Sequence, residues 1–225
     1  KPGSLDSLYN TKSNKQYDCV EQQKVAEIAE SWFIQYSMKQ QAKGIIESFD
    51  DVRNVKEYQD KDVDFVYHYR NRPPVMIEVK GDRHELRNLF AETVVPSFYT
   101  DKETGNVVDQ RAKPGWLFGS KADFVFYCFI RFDIIYILNL RRFSPWLCNC
   151  LATKGVRNKF TSCAAHNLHN KDAPSDNFYY GMGCLVPLSI LESVEERLCN
   201  KIIAEPPGII GVYENQKESE NLHYA

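Results

Sequence analysis

Apolar positions recur along the chain with two distinct periods. Between Tyr17 and about Gln41, Val25, Ile28, Ala29, Trp32 and Tyr36 share one face at a period of about 3.6 residues, which predicts an amphipathic helix with Asp18 as its N-cap. Short runs rich in β-branched and aromatic residues follow. "KGIIESF", "VDFVYHY" and "VMIEVK" predict three strands. "GDRHELRNLFAETVV" predicts a second helix capped by Asp82, and the polar stretch from Pro96 to Gly115 predicts a loop. "KADFVFYCF" and "FDIIYIL" predict two further strands. The order is α-β-β-β-α-β with one extra strand, an α/β pattern. Beyond Leu140, "LRRFSPWLCNCLATKG" predicts a helix interrupted at Pro145, residues 153–177 are turn-rich, "GMGCLVPL" predicts a late strand, and "SILESVEERLCNKII" predicts a helix capped by Ser189. The chain thus divides into an N-terminal arm (1–16), a core (17–140), a C-terminal extension packed on it (141–213) and a tail (214–225).

Composition narrows the class. With 225 residues, 43% hydrophobic and 26% charged, the chain has ordinary globular make-up, and thirteen Tyr and thirteen Phe supply aromatic core material. A formal net charge of -2 excludes a uniformly basic nucleic-acid binder, so an anionic partner must meet a local patch. The longest apolar region, "ADFVFYCFIRFDIIYILNL", is broken by Arg131 and Asp133, so no transmembrane span and no membrane partner are expected. The opening "KPGSLDSLYN" has no Met, as in a chain shorn of a leader or of earlier residues, and shows no signal pattern. Seven unevenly spaced Cys in a chain of this size point to a reducing, intracellular setting, cytoplasmic or nuclear.

The chemistry concentrates in "DKDVDFVYHYRNRPPVMIEVKGD", Asp60 to Asp82. Alternation puts Glu78 and Lys80 on one strand face and Ile77 and Val79 on the other. If the two strands pair as neighbours, Asp64 can lie opposite Glu78 on that face. Two carboxylates held close repel and raise one another's pKa, a cost that makes sense where a divalent cation sits between them. Hard oxygen donors suit Mg²⁺, which keeps waters and takes phosphate oxygens. Lys80 beside such a cation can orient or deprotonate a water. The plainer alternative is a Glu–Lys pair on a solvated sheet face.

Asp64 followed by Glu78-Val79-Lys80, in α-β-β-β-α-β order over about Asp18 to Leu138, resembles the PD-(D/E)XK nuclease superfamily of restriction enzymes and Holliday-junction resolvases. Asp64 is preceded by Val63 rather than Pro, a departure from the family pattern. The resemblance implies a restriction-endonuclease-like fold with a central mixed sheet flanked by helices. It also implies a Mg²⁺- or Mn²⁺-dependent endonuclease acting on DNA, with RNA or a catalytically silent binding module as the alternatives. Asp64, Glu78 and the Val79 carbonyl are the implied metal ligands, Lys80 is the implied catalytic lysine, and a homodimer is an assembly often found in the family.

Many relatives of that kind carry a further carboxylate on the first helix. Rotation about the helix axis places Glu21 near the apolar stripe and Glu27 and Glu30 on the solvent side, which makes Glu21 the expected extra ligand. Arg111, Lys113 and Lys121 are candidate phosphate contacts. Cys148, Cys150, Cys163 and His166, with His169 nearby, have the residue types of a zinc site, but C-x-C is an untypical knuckle and ordinary free cysteines are the expected reading. His68, along the strand from Asp64, is expected to be a satisfied or solvated histidine. No G-x-S-x-G and no Gly-rich phosphate loop appears.

Overall fold

The computed structural model describes residues 19–84, 87–100, 107–153, 156–167, 177–194 and 198–203; the expected arm, tail and Asp18 cap lie outside them. The elements run α1 (Cys19–Ala42), β1 (Ser48–Asp51), α2 (Lys56–Gln59), β2 (Phe65–Tyr69), β3 (Arg72–Asp82), β4 (Asn88–Thr100), β5 (Val107–Pro114), α3 (Trp116–Gly119), β6 (Phe124–Phe129), β7 (Ile134–Asn139), α4 (Leu140–Ala152), β8 (Thr161–Asn167), β9 (Asn177–Pro187), α5 (Leu188–Leu191) and β10 (Cys199–Ile203). They build an α/β fold with a mixed six-stranded sheet, order β1-β2-β3-β6-β7-β10, and a four-stranded antiparallel sheet, order β5-β4-β9-β8.

The six-stranded sheet is antiparallel except between β3 and β6, which pair parallel with Glu78 opposite Val125 and Lys80 opposite Tyr127. Alternation along β6 feeds both of its faces. Phe126 and Cys128 pack with Phe65, Ile77, Val79 and the α1 residues Ala29, Trp32 and Phe33. Val125, Tyr127 and Phe129 pack with Leu89 of β4, Trp116 of α3, Leu138 of β7, Phe143 of α4 and Val186 of β9. A central strand buried on both faces reads as a continuous apolar run, as "FVFYCF" does.

Under α1, the buried Ser37 hydroxyl donates to the Phe33 carbonyl at 2.7 Å and meets the Tyr67 hydroxyl at 2.7 Å. Tyr67→Phe deletes that one link without stranding a donor, and is expected to cost about 1 kcal/mol in denaturant unfolding.

The sequence-based expectations need correction at four places. Residues 81–82 end β3 and residues 88–95 belong to β4, so no second helix forms there among the described residues, because Leu89 and Ala91 are buried while Phe90 and Glu92 are half-buried, the period of a strand. The stretch from Pro96 to Gly115 is not a loop: its described residues complete β4 and form β5. The helix expected from Ser189 shrinks to α5, and Cys199–Ile203 join the six-stranded sheet beside β7. α4 runs through Pro145 instead of breaking there. The chain after Leu140 therefore adds β10 to one sheet and β8 and β9 to the other. No described helix is long and apolar enough to cross a membrane.

Candidate active site

The β2–β3 ladder runs Phe65 opposite Ile77 and Val66 opposite Met76, and the Asp64 N–H donates to the Ile77 carbonyl at 2.8 Å. One step further that register sets Asp64 across from Glu78, as the alternation predicts. There β2 leaves the ladder. Asp62 takes a left-handed conformation with φ 50°, which a short polar side chain tolerates. The Val79 N–H thereby loses its cross-strand carbonyl, and the Asp64 carboxylate replaces it, accepting at 2.7 Å through Oδ2. Ser120 and Lys121, just before β6, brace the turn: the Ser120 hydroxyl donates to the Asp62 carbonyl at 2.9 Å and the Lys121 N–H to the Lys61 carbonyl at 2.8 Å.

Glu78 is only 3% exposed. Its Oε1 is paired with the Lys80 ammonium, while Oε2 is buried without a hydrogen-bond partner. Burial pushes the Glu78 carboxyl up to about 7, the Lys80 charge only partly offsets this, and Asp64 adds to it. Asp64 is also raised, chiefly by burial, against the Val79 N–H and Lys80, which hold it down. Burial pulls the Lys80 ammonium down, but Glu78, Asp64 and Asp62 outweigh burial and hold it above its ordinary value. The Lys80 side chain is 36% exposed, with its ammonium on Glu78. A buried carboxylate oxygen with nothing to bind, beside a second carboxylate, is the donor set a hard cation completes. Asp64, Glu78 and the Val79 carbonyl, with waters and phosphate oxygens, are donors of the kind Mg²⁺ or Mn²⁺ accepts. Among the described residues no three His, Cys, Asp or Glu side chains stand together as a ready ligand group, and the candidate set here contains two carboxylates and a main-chain oxygen.

The rest of the expected set divides. The side chains of Glu21, Cys163 and His166, and all of His169, lie outside the described residues. Cys148 is exposed and Cys150 half-buried, two apart on α4, where side chains point in divergent directions. Lys121 is exposed beside the braced turn. Lys113, on β5 rather than a loop, is exposed and its charge reaches Glu92. Arg111 pairs with Asp109 at 2.8 Å. His68 is satisfied, its Nε2 lying 2.8 Å from Asp50 Oδ2.

Glu27 is exposed, as expected, but Glu30 is not solvated freely. Its side chain is 22% exposed and joined to Arg53, which also grips Asp51 and covers the Phe65 ring. Burial raises the Glu30 carboxyl, Arg53 opposes this, and the Asp64 charge adds to it, so Glu30 stands within electrostatic reach of the centre. Phe33, fully buried, supplies the signal that could have found it. Counting Phe33 and Ser37 into the α1 stripe turns its centre by about 25° toward Glu30 at ~100° per residue. Asp62 and Glu92 are the other acidic residues near the centre that motif spacing did not single out. No protein-family model, no curated protein and no solved structure matches this chain.

Proposed function

We propose that the protein is a metal-dependent endonuclease that hydrolyses phosphodiester bonds of DNA through Asp64, Glu78 and Lys80. The observation that carries this reading is the buried, unpartnered Glu78 Oε2, on a carboxyl raised by burial and by the Asp64 charge, with Asp64 itself raised by burial. A structural carboxylate would have been given a donor. A bound Mg²⁺ or Mn²⁺ supplies Lewis acidity toward a phosphate oxygen and acidifies a water. Asp64 and Glu78 hold the cation, the Val79 N–H fixes the Asp64 carboxylate, and Lys80 presents an ammonium to the attacking water or to the phosphate. Lys113 and Lys121, both exposed, would give the phosphate backbone its positive footing despite the net charge of -2. A restriction-endonuclease-like core is part of the proposal, with the helix usual between its third and fourth strands replaced by β4, β5 and α3. RNA is the alternative substrate. A homodimer is the assembly we expect.

The test is incubation of the protein with plasmid, branched DNA and RNA, in Mg²⁺ and in chelator. Chelator-sensitive cutting supports the reading, and no cutting of any of them in Mg²⁺ or Mn²⁺ removes it. Within it, Glu30 takes the place of the first-helix carboxylate. Glu30→Gln is expected to slow cleavage roughly tenfold, about 1.4 kcal/mol of barrier, whereas Glu27→Gln should leave the rate unchanged; equal rates for the two would return Glu30 to a plain ion pair with Arg53.

A further inference from the structure

Between α3 and α4 the surface opens into a hollow of about 390 Å³, whose lining includes Leu117, Phe118, Ser120, Lys121, Leu140 and Arg141. Small-ligand sites occupy about 300–1,000 Å³. Lys121 and Arg141 are cationic, and no lining residue is acidic. Lys121 is exposed. Arg141 is anchored by Asp123, Nη2 to Oδ1 at 2.6 Å, while the other Asp123 oxygen accepts from the Met76 N–H at 2.9 Å. The arginine side chain is still 76% exposed, so most of its donors remain open to an anion. Phe118 is 46% exposed although its α3 neighbours Trp116 and Leu117 are buried. The Ser144 hydroxyl donates to the Leu117 carbonyl at 2.7 Å and ties α4 to α3. An aromatic ring is thus held open on a fixed wall beside two cations. A scattered surface aromatic needs no explanation, but a ring and cations lining one hollow are the parts with which proteins hold single-stranded nucleic acid, by stacking a base and pairing its phosphate.

The hollow backs onto the candidate active site. Ser120 and Lys121, in its lining, are the residues that brace the turn before Asp64, through the Asp62 carbonyl at 2.9 Å and the Lys61 carbonyl at 2.8 Å. Ala122, also in the lining, packs in the core with Val63. A strand with one phosphate at Asp64 and Glu78 therefore has a nearby nucleotide to offer the hollow. Inside a duplex both faces of a base are covered by its neighbours, so Phe118 can stack only on a base that is out of the helix or at its end. We propose that the hollow between α3 and α4 is a subsite for one unpaired nucleotide of the substrate strand, with its base on the Phe118 ring and its phosphate on Lys121 and Arg141. This rests on the nuclease reading above and narrows it to substrates with a single-stranded or frayed stretch beside the cut.

The test is fluorescence anisotropy with labelled oligothymidylate and with a blunt duplex of equal length, in chelator so that nothing is cut. The wild type is expected to prefer oligothymidylate. Phe118→Ala should bind it roughly tenfold more weakly, about 1.4 kcal/mol, the scale of one lost base–aromatic stack, and should bind the duplex as before. Phe118→Trp keeps a stacking face and should hold or raise the affinity, which guards against a folding defect in the Ala variant. Lys121→Gln should weaken both ligands and flatten the salt dependence for oligothymidylate by about 0.7 in log–log slope, one phosphate contact. Wild-type affinity in Phe118→Ala overturns the subsite, and so does a loss equal on the two ligands or a wild type that binds neither. Plasmid cleavage in Mg²⁺ by the same preparations separates the two readings. Cutting by a protein whose binding ignores Phe118 leaves the nuclease without this subsite, and Phe118-dependent binding without any cutting leaves the subsite without the nuclease.

Discussion

Asp64→Asn or Glu78→Gln is expected to lower Mg²⁺-dependent cleavage by at least about 10³-fold while the fold survives. Metal stabilisation of a phosphodiester transition state is worth several kcal/mol, and about 4 kcal/mol corresponds to that factor. Each substitution keeps the side-chain shape and deletes one anionic donor from a set with only two. The fold should tolerate the change because both carboxyls are already pushed toward their neutral form by burial. In Asp64→Asn the amide oxygen can still accept from the Val79 N–H, so the turn after Asp62 keeps its anchor. Initial rates on supercoiled plasmid, with a thermal melt of each variant, give the answer. A folded variant that cuts at the wild-type rate would remove that carboxylate from the chemistry. Lys80→Met should cost ~10²-fold if the ammonium helps the attacking water, and its melt should reveal whether Glu78 tolerates the loss of its only partner.

Much of the centre was legible because a strand's period of two leaves few choices. Once "VMIEVK" is a strand, Glu78 and Lys80 must share a face, and a neighbouring "VDFVYHY" strand can bring Asp64 across from Glu78. The observed ladder runs to Phe65 opposite Ile77, one residue short of that pair. The cost of burying such groups was legible too, since Val125 and Tyr127 of the apolar β6 flank them. The first helix was legible in extent but not in rotation. A stripe drawn through Val25 and Ile28 omits Phe33, yet Ile28 is 39% exposed and Phe33 fully buried. That error turned Glu30 to the wrong side.

The second sheet was the larger miss, and its cause is local ambiguity. "GDRHELRNLFAETVV" opens with a plausible cap and strong helix formers, and only the alternation from Leu89 onward argues for a strand. Its partner β9 lies about 80 to 100 residues further on, and pairing at that distance leaves no local trace in sequence. The surroundings of Glu92 were invisible for the same reason: the glycines at positions 115, 181 and 183 are brought beside it only by the pairing of β4 with β9 and the return of the chain at α3.

At pH 8 in chelator, Glu78→Gln is expected to unfold with up to about 3 kcal/mol more stability than the wild type, an advantage that should disappear by pH 4. The Glu78 carboxyl stands at about 7 in the fold against an ordinary 4.5. The fold therefore prefers it protonated. That preference stabilises the wild type fully below 4.5, fades as pH rises through 7, and is flat above; at about 1.4 kcal/mol for each tenfold difference in proton affinity the gap is about 3 kcal/mol. Glutamine carries no such penalty. Asp64, Glu30 and Glu92 are raised as well, but they remain in both proteins and largely cancel in the difference. The Lys80 ammonium loses Glu78 in the variant and falls back on Asp64 and Asp62, so the figure is a ceiling. Urea unfolding at pH 4, 6 and 8 measures it, and a variant less stable than the wild type by the same amount at every pH would mean that the Glu78–Lys80 pair is a stabilising strut. Mn²⁺ at a thousand times the wild-type Kd should reverse the order at pH 8, because the wild type then gains about 4.1 kcal/mol and the variant, short of a donor, gains much less.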